Sequence, residues 1–172
     1  ELDWWQSESL AGIELSLVPV QHWSARSITD RFETLWGGWI ARTDKKTAKP
    51  FTLFFSGDTG YSKDFADIHR RFGAVDLALL PIGAYEPRWF MANQHVDPVQ
   101  AVQIHRDLGA RLSLGVHWGT FDLSDEAPGQ PPVDLAIAAR ALSVPEASFG
   151  VLAIGQSLQL PKRQPLSTQA AR

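Results

Sequence analysis

Three polar side chains that can bind a metal ion each closely follow a run of residues typical of a β-strand. They are His22 after GIELSLVPV, Asp58 after FTLFFS and His117 after RLSLGV. Neutral imidazole nitrogens and carboxylate oxygens are ligands that suit zinc and related divalent ions. Strand ends hold such groups in place while the neighbouring loops leave room for a substrate. Each residue alone also fits a structural role, but together they indicate a candidate metal site.

The segment SGDTGY permits a second interpretation, because Asp-Thr-Gly is also the signature of aspartic proteases. Those enzymes require two carboxylates that share one proton. The sequence contains no second Asp-Thr-Gly or Asp-Ser-Gly, and Gly57 and Tyr61 depart from the residues that flank the protease motif. A protease would therefore require a symmetric dimer, which makes this the weaker interpretation.

The elements that would position these residues alternate between β and α along the chain. Periodicity and turn residues predict strands at 12–20, 35–42, 51–56, 75–82 and 111–116, a final strand or hairpin at 149–160, and helices at 62–72, 97–108 and 133–142. The polar linker TDKKTAKP predicts that the second and third strands form an antiparallel pair. Ser62 and Asp97 are the predicted N-caps of the first two helices, and residues 24–31 are predicted to form a short helix or turn.

Composition indicates a single α/β domain at residues 1–160, followed by a tail at 161–172. The chain has 172 residues, a formal net charge of -3 and no basic run, which argues against a nucleic-acid partner. Cysteine is absent, so disulfides and thiolate metal sites are excluded. No apolar run approaches the roughly 18 residues of a membrane span, and the acidic N-terminus is not a signal peptide. These features favour a soluble, cytoplasmic protein and leave peripheral membrane binding open.

Five segments of the chain carry a resemblance to a known family. They are VPVQHWSAR, LWGGW, FFSGDTGY, DLALLPIGAYEPRWFMANQHVDP and GVHWGTF. They resemble the C-terminal half of the metallo-β-lactamase-fold hydrolases, in the subgroup of N-acylphosphatidylethanolamine-hydrolysing phospholipase D and its bacterial RomA-like relatives. The resemblance runs from about residue 2 to about residue 142. It implies that this chain is the C-terminal ββα half of an αββα sandwich, with a di-metal site, usually zinc, at the shared edge of two sheets.

The resemblance also implies a role for four residues of this sequence. His22 would complete the first metal site, Asp58 would bridge both metal ions, and His117 would bind the second. His95, in NQHVDP, matches a histidine that acts near the scissile group without binding metal. His95 and Asp58 are therefore the candidate catalytic residues, and the glycines beside the Asp-Thr pair would let the backbone turn around Asp58.

One motif of the family is absent from this chain. The H-x-H-x-D-H segment, which supplies most of the metal ligands in the family, does not occur in the sequence. We therefore expect zinc to be only partly bound, or absent, in this chain alone, and the chain alone to be inactive. We also expect it to pack against an N-terminal half that carries H-x-H-x-D-H, or to self-associate, because one apolar sheet face would otherwise remain in water.

The function implied for the intact protein is metal-dependent hydrolysis of a phosphodiester. By resemblance the enzyme is of phospholipase D type and acts on a lipid or lipid-like phosphodiester through a water activated by two metal ions. A lactone or cyclic-phosphodiester hydrolase of the same fold is the alternative, because fold alone does not select the substrate. A non-catalytic, metal-poor interaction module is a further alternative of a different class.

The remaining conspicuous side chains lie in one loop and in two helices. The loop AYEPRWFMANQH contains Tyr85, Trp89 and Phe90, which are candidate substrate-binding residues because aromatic clusters can line a groove for an acyl chain. The same aromatics equally fit a role in covering the edge of the sheet. His69 and His105 fall within predicted helices, and we expect both to be surface or packing residues.

Overall fold

A computed structural model describes residues 1–43 and 50–160, and its framework is one seven-stranded mixed sheet. The strands are β1 (Ser7–Leu10), β2 (Ile13–Val18), β3 (Gly38–Thr43), β4 (Thr52–Phe55), β5 (Leu77–Pro81), β6 (Ser113–Val116) and β7 (Phe149–Val151). They lie side by side in chain order, antiparallel from β1 to β4 and parallel from β4 to β7. Residues 44–49 of the predicted linker, and the tail at 161–172, lie outside the described residues.

Helices provide the crossovers between the parallel strands. They are α1 (Asp64–Phe72), α2 (Arg88–Met91), α3 (Pro98–Asp107) and α4 (Gln130–Ala141), with a 3₁₀ turn at Glu146–Ser148. Parallel neighbours require such crossovers, because a two-residue turn cannot return the chain to the same end of the sheet. None of the helices in the described ranges combines the length and apolar character needed to cross a membrane.

The two faces of the sheet differ in how they are covered. On one face, strand register aligns Ile40, Phe54 and Ala78, and all three are fully buried in a single core with side chains from α1, α3 and α4. On the other face, the aligned residues include Trp39 and Phe55, which are 38% and 40% exposed. The helix-covered face builds the core, and the opposite face presents apolar side chains that are incompletely covered.

The direction of the strands explains why distant residues meet at one edge. Two antiparallel steps, from β2 to β3 and from β3 to β4, restore the original direction, and β5 and β6 run parallel to β4. The carboxyl ends of β2, β4, β5 and β6 therefore lie at the same edge of the sheet. The loops that leave these strands carry every candidate site residue.

The predicted pairing of residues 35–42 with 51–56 is confirmed as the antiparallel pair of β3 and β4, within narrower limits. The predicted strand at 149–160 contracts to β7. The short strand β1 was missed, because its four residues are all exposed and show no alternation. Ala11 and Gly12, both at positive φ (50° and 81°), form the turn that joins it to β2.

The helix predictions need three corrections. Helix α1 begins at Asp64 with Lys63 at its N-cap, so Ser62 lies one residue before the cap, where its hydroxyl accepts a hydrogen bond from the Asp64 amide (3.2 Å) and donates one to the Asp64 carboxylate (2.7 Å). Helix α4 begins at Gln130, three residues before the predicted start at 133, because Pro131 and Pro132 are well suited to the first turn. Helix α2 was not predicted at all. Residues 24–31 form bends and a turn, the second of the two predicted possibilities.

The prediction for α3 is confirmed in detail. The Asp97 side chain accepts a hydrogen bond from the Gln100 amide, the Gln100 side chain accepts one from the Asp97 amide, and Pro98 occupies the first turn. This capping box fixes the point at which the loop from β5 enters the helix.

Candidate metal centre

His22 follows β2 and is held in one ring orientation. Its Nδ1 lies 2.9 Å from the carbonyl oxygen of Trp23, and its ring stacks on the Trp23 ring with centroids 5.9 Å apart. A carbonyl can only accept, so Nδ1 carries the proton and Nε2 keeps a free lone pair. A ring nitrogen held by a backbone carbonyl is the usual arrangement for a histidine that binds metal through the other nitrogen.

Asp58 lies in a turn that two glycines make possible. Gly57 has a φ of 62°, a left-handed conformation that costs side-chain-bearing residues about 1–2 kcal/mol. Gly60 is required by close approach, because a Cβ there would lie 2.5 Å from the carbonyl oxygen of Asn93. Gly57 is thus required for its left-handed backbone conformation, and Gly60 for the space that it leaves to the Asn93 backbone. The Asp58 side chain is 42% exposed, so its carboxylate is accessible from the solvent.

His117 and His95 complete the cluster. His117 follows β6 with a φ of 59°, and its Nε2 lies 3.4 Å from Oδ1 of Asp58. The His95 ring lies between those of His22 and His117, with centroids 5.5 Å from each. One possible ligand atom from each of His22, Asp58 and His95 lies within 4.8 Å of the other two. All four residues that the sequence singled out are therefore brought together at the edge of the sheet.

Asp58 takes part in two overlapping groups of potential ligands. It belongs to one group with His22 and His95 and, through its contact with His117, to a second. Such sharing is what a bridging carboxylate requires. His95 belongs to the same 4.8 Å group as His22 and Asp58, so distance alone does not separate its predicted catalytic role from a ligand role.

The donor set fits a divalent ion such as zinc. Two ligands that stand about 2.0 Å from one tetrahedral zinc are about 3.3 Å apart, close to the 3.4 Å between His117 and Asp58. Within the described part of the chain, the Nδ1 atoms of His95 and His117 are buried without a hydrogen-bond partner. Buried polar atoms of this kind are rare and call for a missing partner such as an ion or water.

Burial is the main influence on the charge of His95. It lowers the pKa of the His95 imidazole below its ordinary value, because desolvation disfavours the charged form. The Asp58 carboxylate opposes this change, while His117 and His22 reinforce it. His95 is therefore neutral near pH 7, a form that can donate a hydrogen bond from one nitrogen and accept at the other.

Several residues that hold the site together were missed by the sequence interpretation. The Gln21 amide donates to Oγ1 of Thr59 (3.1 Å), and the Gln21 side chain donates to the carbonyl of Asn93 (3.0 Å). The Val96 amide donates to the carbonyl of Thr59 (2.9 Å). These bonds join the loops of His22, Asp58 and His95. The only sequence signal was that Gln21 and Thr59 are direct neighbours of site residues.

Glu126 was also missed, and it organises the loop after β5. Its carboxylate accepts hydrogen bonds from the amides of Ala84 (2.6 Å) and Glu86 (3.0 Å). Burial favours protonation, but these amides and the Ser124 hydroxyl outweigh it and hold the pKa of Glu126 below its ordinary value. Beside it lies a cavity of about 340 Å³ that also borders His117 and is lined mainly by apolar side chains, among them Trp118.

The candidate substrate-binding residues separate into two environments. Trp89 and Phe90 are 85% and 61% exposed and lie edge to face on α2. Tyr85 is only 5% exposed, and its hydroxyl donates to Oδ2 of Asp134 at 2.5 Å, so its ring packs in the interior. Tyr85 therefore offers little surface to a substrate. For Trp89 and Phe90 the predicted role stays a prediction.

The two helical histidines have the structural roles expected of them. Nδ1 of His69 lies 2.8 Å from the carbonyl of Leu108, which ties α1 to the end of α3. Nδ1 of His105 lies 2.8 Å from Oγ of Ser113 within the core. Neither belongs to the cluster of potential metal ligands.

A mixed sheet with helical crossovers, and a histidine and aspartate cluster where its strands end, is the architecture of metallo-β-lactamase-fold hydrolases. Residues 1–118 match the Beta-lactamase superfamily domain, and the chain belongs to this superfamily. The metallo hydrolase Igni18 from Ignicoccus hospitalis has the same fold, with a TM-score of 0.65 at 20% identity over 91% of this chain and 58% of its own.

Two curated relatives confirm the subgroup indicated by the sequence. The mitochondrial N-acyl-phosphatidylethanolamine-hydrolyzing phospholipase D of Saccharomyces cerevisiae is 41% identical over 145 residues, which cover 81% of this chain and 30% of the yeast protein. Outer membrane protein RomA of Klebsiella pneumoniae is 33% identical over 107 residues, which cover 62% of this chain and 75% of RomA. The chain thus spans less than a third of the length of its yeast relative.

Proposed function

We propose that this chain forms one half of a metal-dependent phosphodiesterase of phospholipase D type. The observation that carries the proposal is the convergence of His22, Asp58, His95 and His117 where the parallel strands end. Similarity to a relative that hydrolyses N-acylphosphatidylethanolamine supports a lipid or lipid-like phosphodiester as the substrate.

In this proposal His22, Asp58 and His117 would hold the metal ions, and the Asp58 carboxylate would serve both of them. Zinc fits the donor set, since imidazole nitrogen and carboxylate oxygen are its common ligands. When bound, such ions polarise a phosphoryl oxygen and lower the pKa of water toward ~7. The Asp58 carboxylate also reduces the repulsion between two nearby cations.

His95 acts on the substrate as a hydrogen-bond donor. Its neutral imidazole donates to charge that develops on the phosphoryl group or the leaving oxygen, where a fixed donor is more effective than mobile water. The exposed rings of Trp89 and Phe90 are the proposed contacts for the apolar part of the substrate. They lie on α2, which directly precedes the His95 loop.

The substrate class can be tested with three ester types in one assay. The chain is combined with a polypeptide that carries H-x-H-x-D-H, loaded with zinc, and offered a glycerophospholipid, a lactone and a cyclic phosphodiester. We expect cleavage of the phosphodiester bond of the glycerophospholipid. Chelation should abolish this cleavage, and zinc should restore it. Preference for the lactone or the cyclic ester would replace the phospholipase D assignment. Failure to hydrolyse all three would favour an interaction module.

The open face of the sheet supports the proposed partner. Trp39 and Phe55 are large, adjacent in register and more than a third exposed, so burial against a second half would remove apolar surface from water. We expect the chain alone to sediment as oligomers. Replacing both residues with serine should reduce this association, whereas Phe121→Ser, at an exposed site outside the sheet, should not. A wild-type chain that is a monodisperse, fully active monomer would contradict the half-domain proposal.

A further inference from the structure

The loop that carries His95 lies between two helices and has no strand on either side. The amide of His95 donates to the carbonyl of Met91 (2.8 Å), and the next amide, of Val96, donates to Thr59. These two bonds fix the backbone N–H groups of His95 and Val96. The carbonyl of His95 is held by a side chain, that of Arg88.

Arg88 lies at the start of α2, and its guanidinium reaches several parts of the loop at once. Nη1 donates to the carbonyls of His95 (2.9 Å) and Tyr85 (3.3 Å). Nη2 donates to Oε1 of Gln100 (2.8 Å), and Nε lies 3.4 Å from Oδ2 of Asp97. The side chain is 28% exposed, so most of it is enclosed by the groups that it binds.

The partners of Arg88 include both members of the α3 capping box. Asp97 and Gln100 cap the helix through each other's amides, and each also contacts the guanidinium. A single planar group with donors in a fixed fork therefore joins the start of α3 to the carbonyl of His95. A lysine ammonium is a compact point charge and cannot span these acceptors in the same geometry.

We propose that Arg88 is the positioning residue for His95, fixing the His95 backbone against the capped end of α3 so that the imidazole is held beside Asp58. Arg88 contacts the carbonyl of His95 and acts through the placement of that residue. This inference rests on the proposed function, in which His95 acts on the substrate. The placement itself can be measured without turnover.

The direct test is hydrogen exchange in the assembly that contains the H-x-H-x-D-H half. Arg88→Met keeps the aliphatic stem and removes the donors. We expect amides of residues 94–97 to exchange at least about 10-fold faster, because local opening becomes easier. Arg70→Met is the matched control, since Arg70 is 71% exposed and pairs with Asp67 on α1. Equal exchange at residues 94–97 in wild type and Arg88→Met would overturn the proposal.

Kinetics of the same variants separate positioning from general stabilisation. Arg88→Met should lower kcat by about 10- to 100-fold, the effect of a misplaced group, while KM and bound zinc stay within about twofold. Arg88→Lys should recover part of the loss. In a His95→Ala background, Arg88→Met should cause no further loss, because the residue that it positions is gone. If the kcat losses of Arg88→Met and His95→Ala were fully additive in the double variant, or if zinc were lost in parallel with kcat, Arg88 would have a merely structural role. Either result would overturn the proposal.

The two proposals fail in different ways. If the wild-type assembly hydrolyses no substrate, the proposed function fails, and the exchange experiment alone decides whether Arg88 places His95. If the assembly is active and the exchange rates do not change, the function stands and the positioning role is wrong.

Discussion

The site residues fall into two groups that are held by different forces. His22, Asp58 and His117 follow strands of one sheet, where neighbouring backbone hydrogen bonds fix the point at which each strand ends. His95 lies in a loop, and side-chain bonds such as that from Arg88 fix its position. The proposed metal ligands are thus held by regular backbone pairing, and the proposed catalytic histidine by a specific polar network that single substitutions can loosen.

The largest expected effect comes from the substitution of Asp58. Asp58→Ala removes the carboxylate that lies near His117 on one side and near His22 and His95 on the other, so we expect bound zinc to fall and turnover to become undetectable in the assembled enzyme. Two cations held close together repel strongly without an anion between them. Elemental analysis gives zinc per chain, and a phosphodiester assay gives turnover.

Asp58→Asn is the matched control for this prediction. It keeps the size of the side chain and removes the negative charge, so it should also lose zinc if charge is the reason. Asp64→Asn, at a carboxylate on α1 outside the cluster, should retain both zinc and activity. Unchanged zinc and activity in Asp58→Ala would contradict the bridging role.

A strand-held and a loop-held histidine should respond differently to truncation. His117→Ala should lose zinc and rate together. His95→Ala should keep its zinc and lose rate by roughly 10²–10⁴-fold, the usual contribution of a proton- or hydrogen-bond-donating group. Loss of zinc from His95→Ala would show that His95 is a ligand, a role that its closeness to His22 and Asp58 also permits.

Sequence pattern predicted the strand-held half of the site because strand ends leave a local signal. An apolar run followed by a polar ligand type is visible without any knowledge of the fold, and the chain direction then brings these ends together. The exposed strand β1 was missed because it has no apolar alternation. Helix α2 was missed because its four residues are too few to show a period.

The loop-held half of the site is only partly visible in the sequence. His95 was singled out by family resemblance, whereas no pattern in the sequence pointed to Arg88. In the structure the Arg88 side chain binds Asp97, Gln100 and two backbone carbonyls. Such contacts join residues up to 12 positions apart, and they form only when the fold brings the two residues together. These contacts follow no sequence periodicity, so local patterns cannot predict them.

A moderate effect is expected where the loops of the two groups touch. Gly60→Ala would place a Cβ 2.5 Å from the Asn93 carbonyl and 2.8 Å from Nε2 of Gln21. Overpacking of this kind costs about 1–3 kcal/mol and would push the His95 loop away from Asp58. Gly129→Ala is the control, because a Cβ there meets no atom within 4 Å. The midpoint of chemical denaturation and the turnover rate should both be lower in Gly60→Ala than in wild type. Equal stability of the two variants would refute the close-contact explanation.

The smallest expected effect concerns Glu126, which braces the loop from β5 that leads to α2 and His95. Its pKa is lower in the folded chain than in the unfolded chain, so the unfolded state binds more protons as the pH falls. The stabilisation by the ionised carboxylate is therefore complete above the unfolded-state pKa of about 4.5 and is lost as the pH falls through the folded-state pKa.

Glu126→Gln should lower the free energy of unfolding at pH 7 by on the order of 1 kcal/mol, a modest value because the carboxylate is only half-buried. The difference from wild type should shrink as the pH falls below about 4.5 in urea titrations. Glu146→Gln, at an exposed glutamate in another part of the chain, is the control variant. A Glu126→Gln deficit that stays constant across this range would mean that shape, and not charge, accounts for the contribution of Glu126.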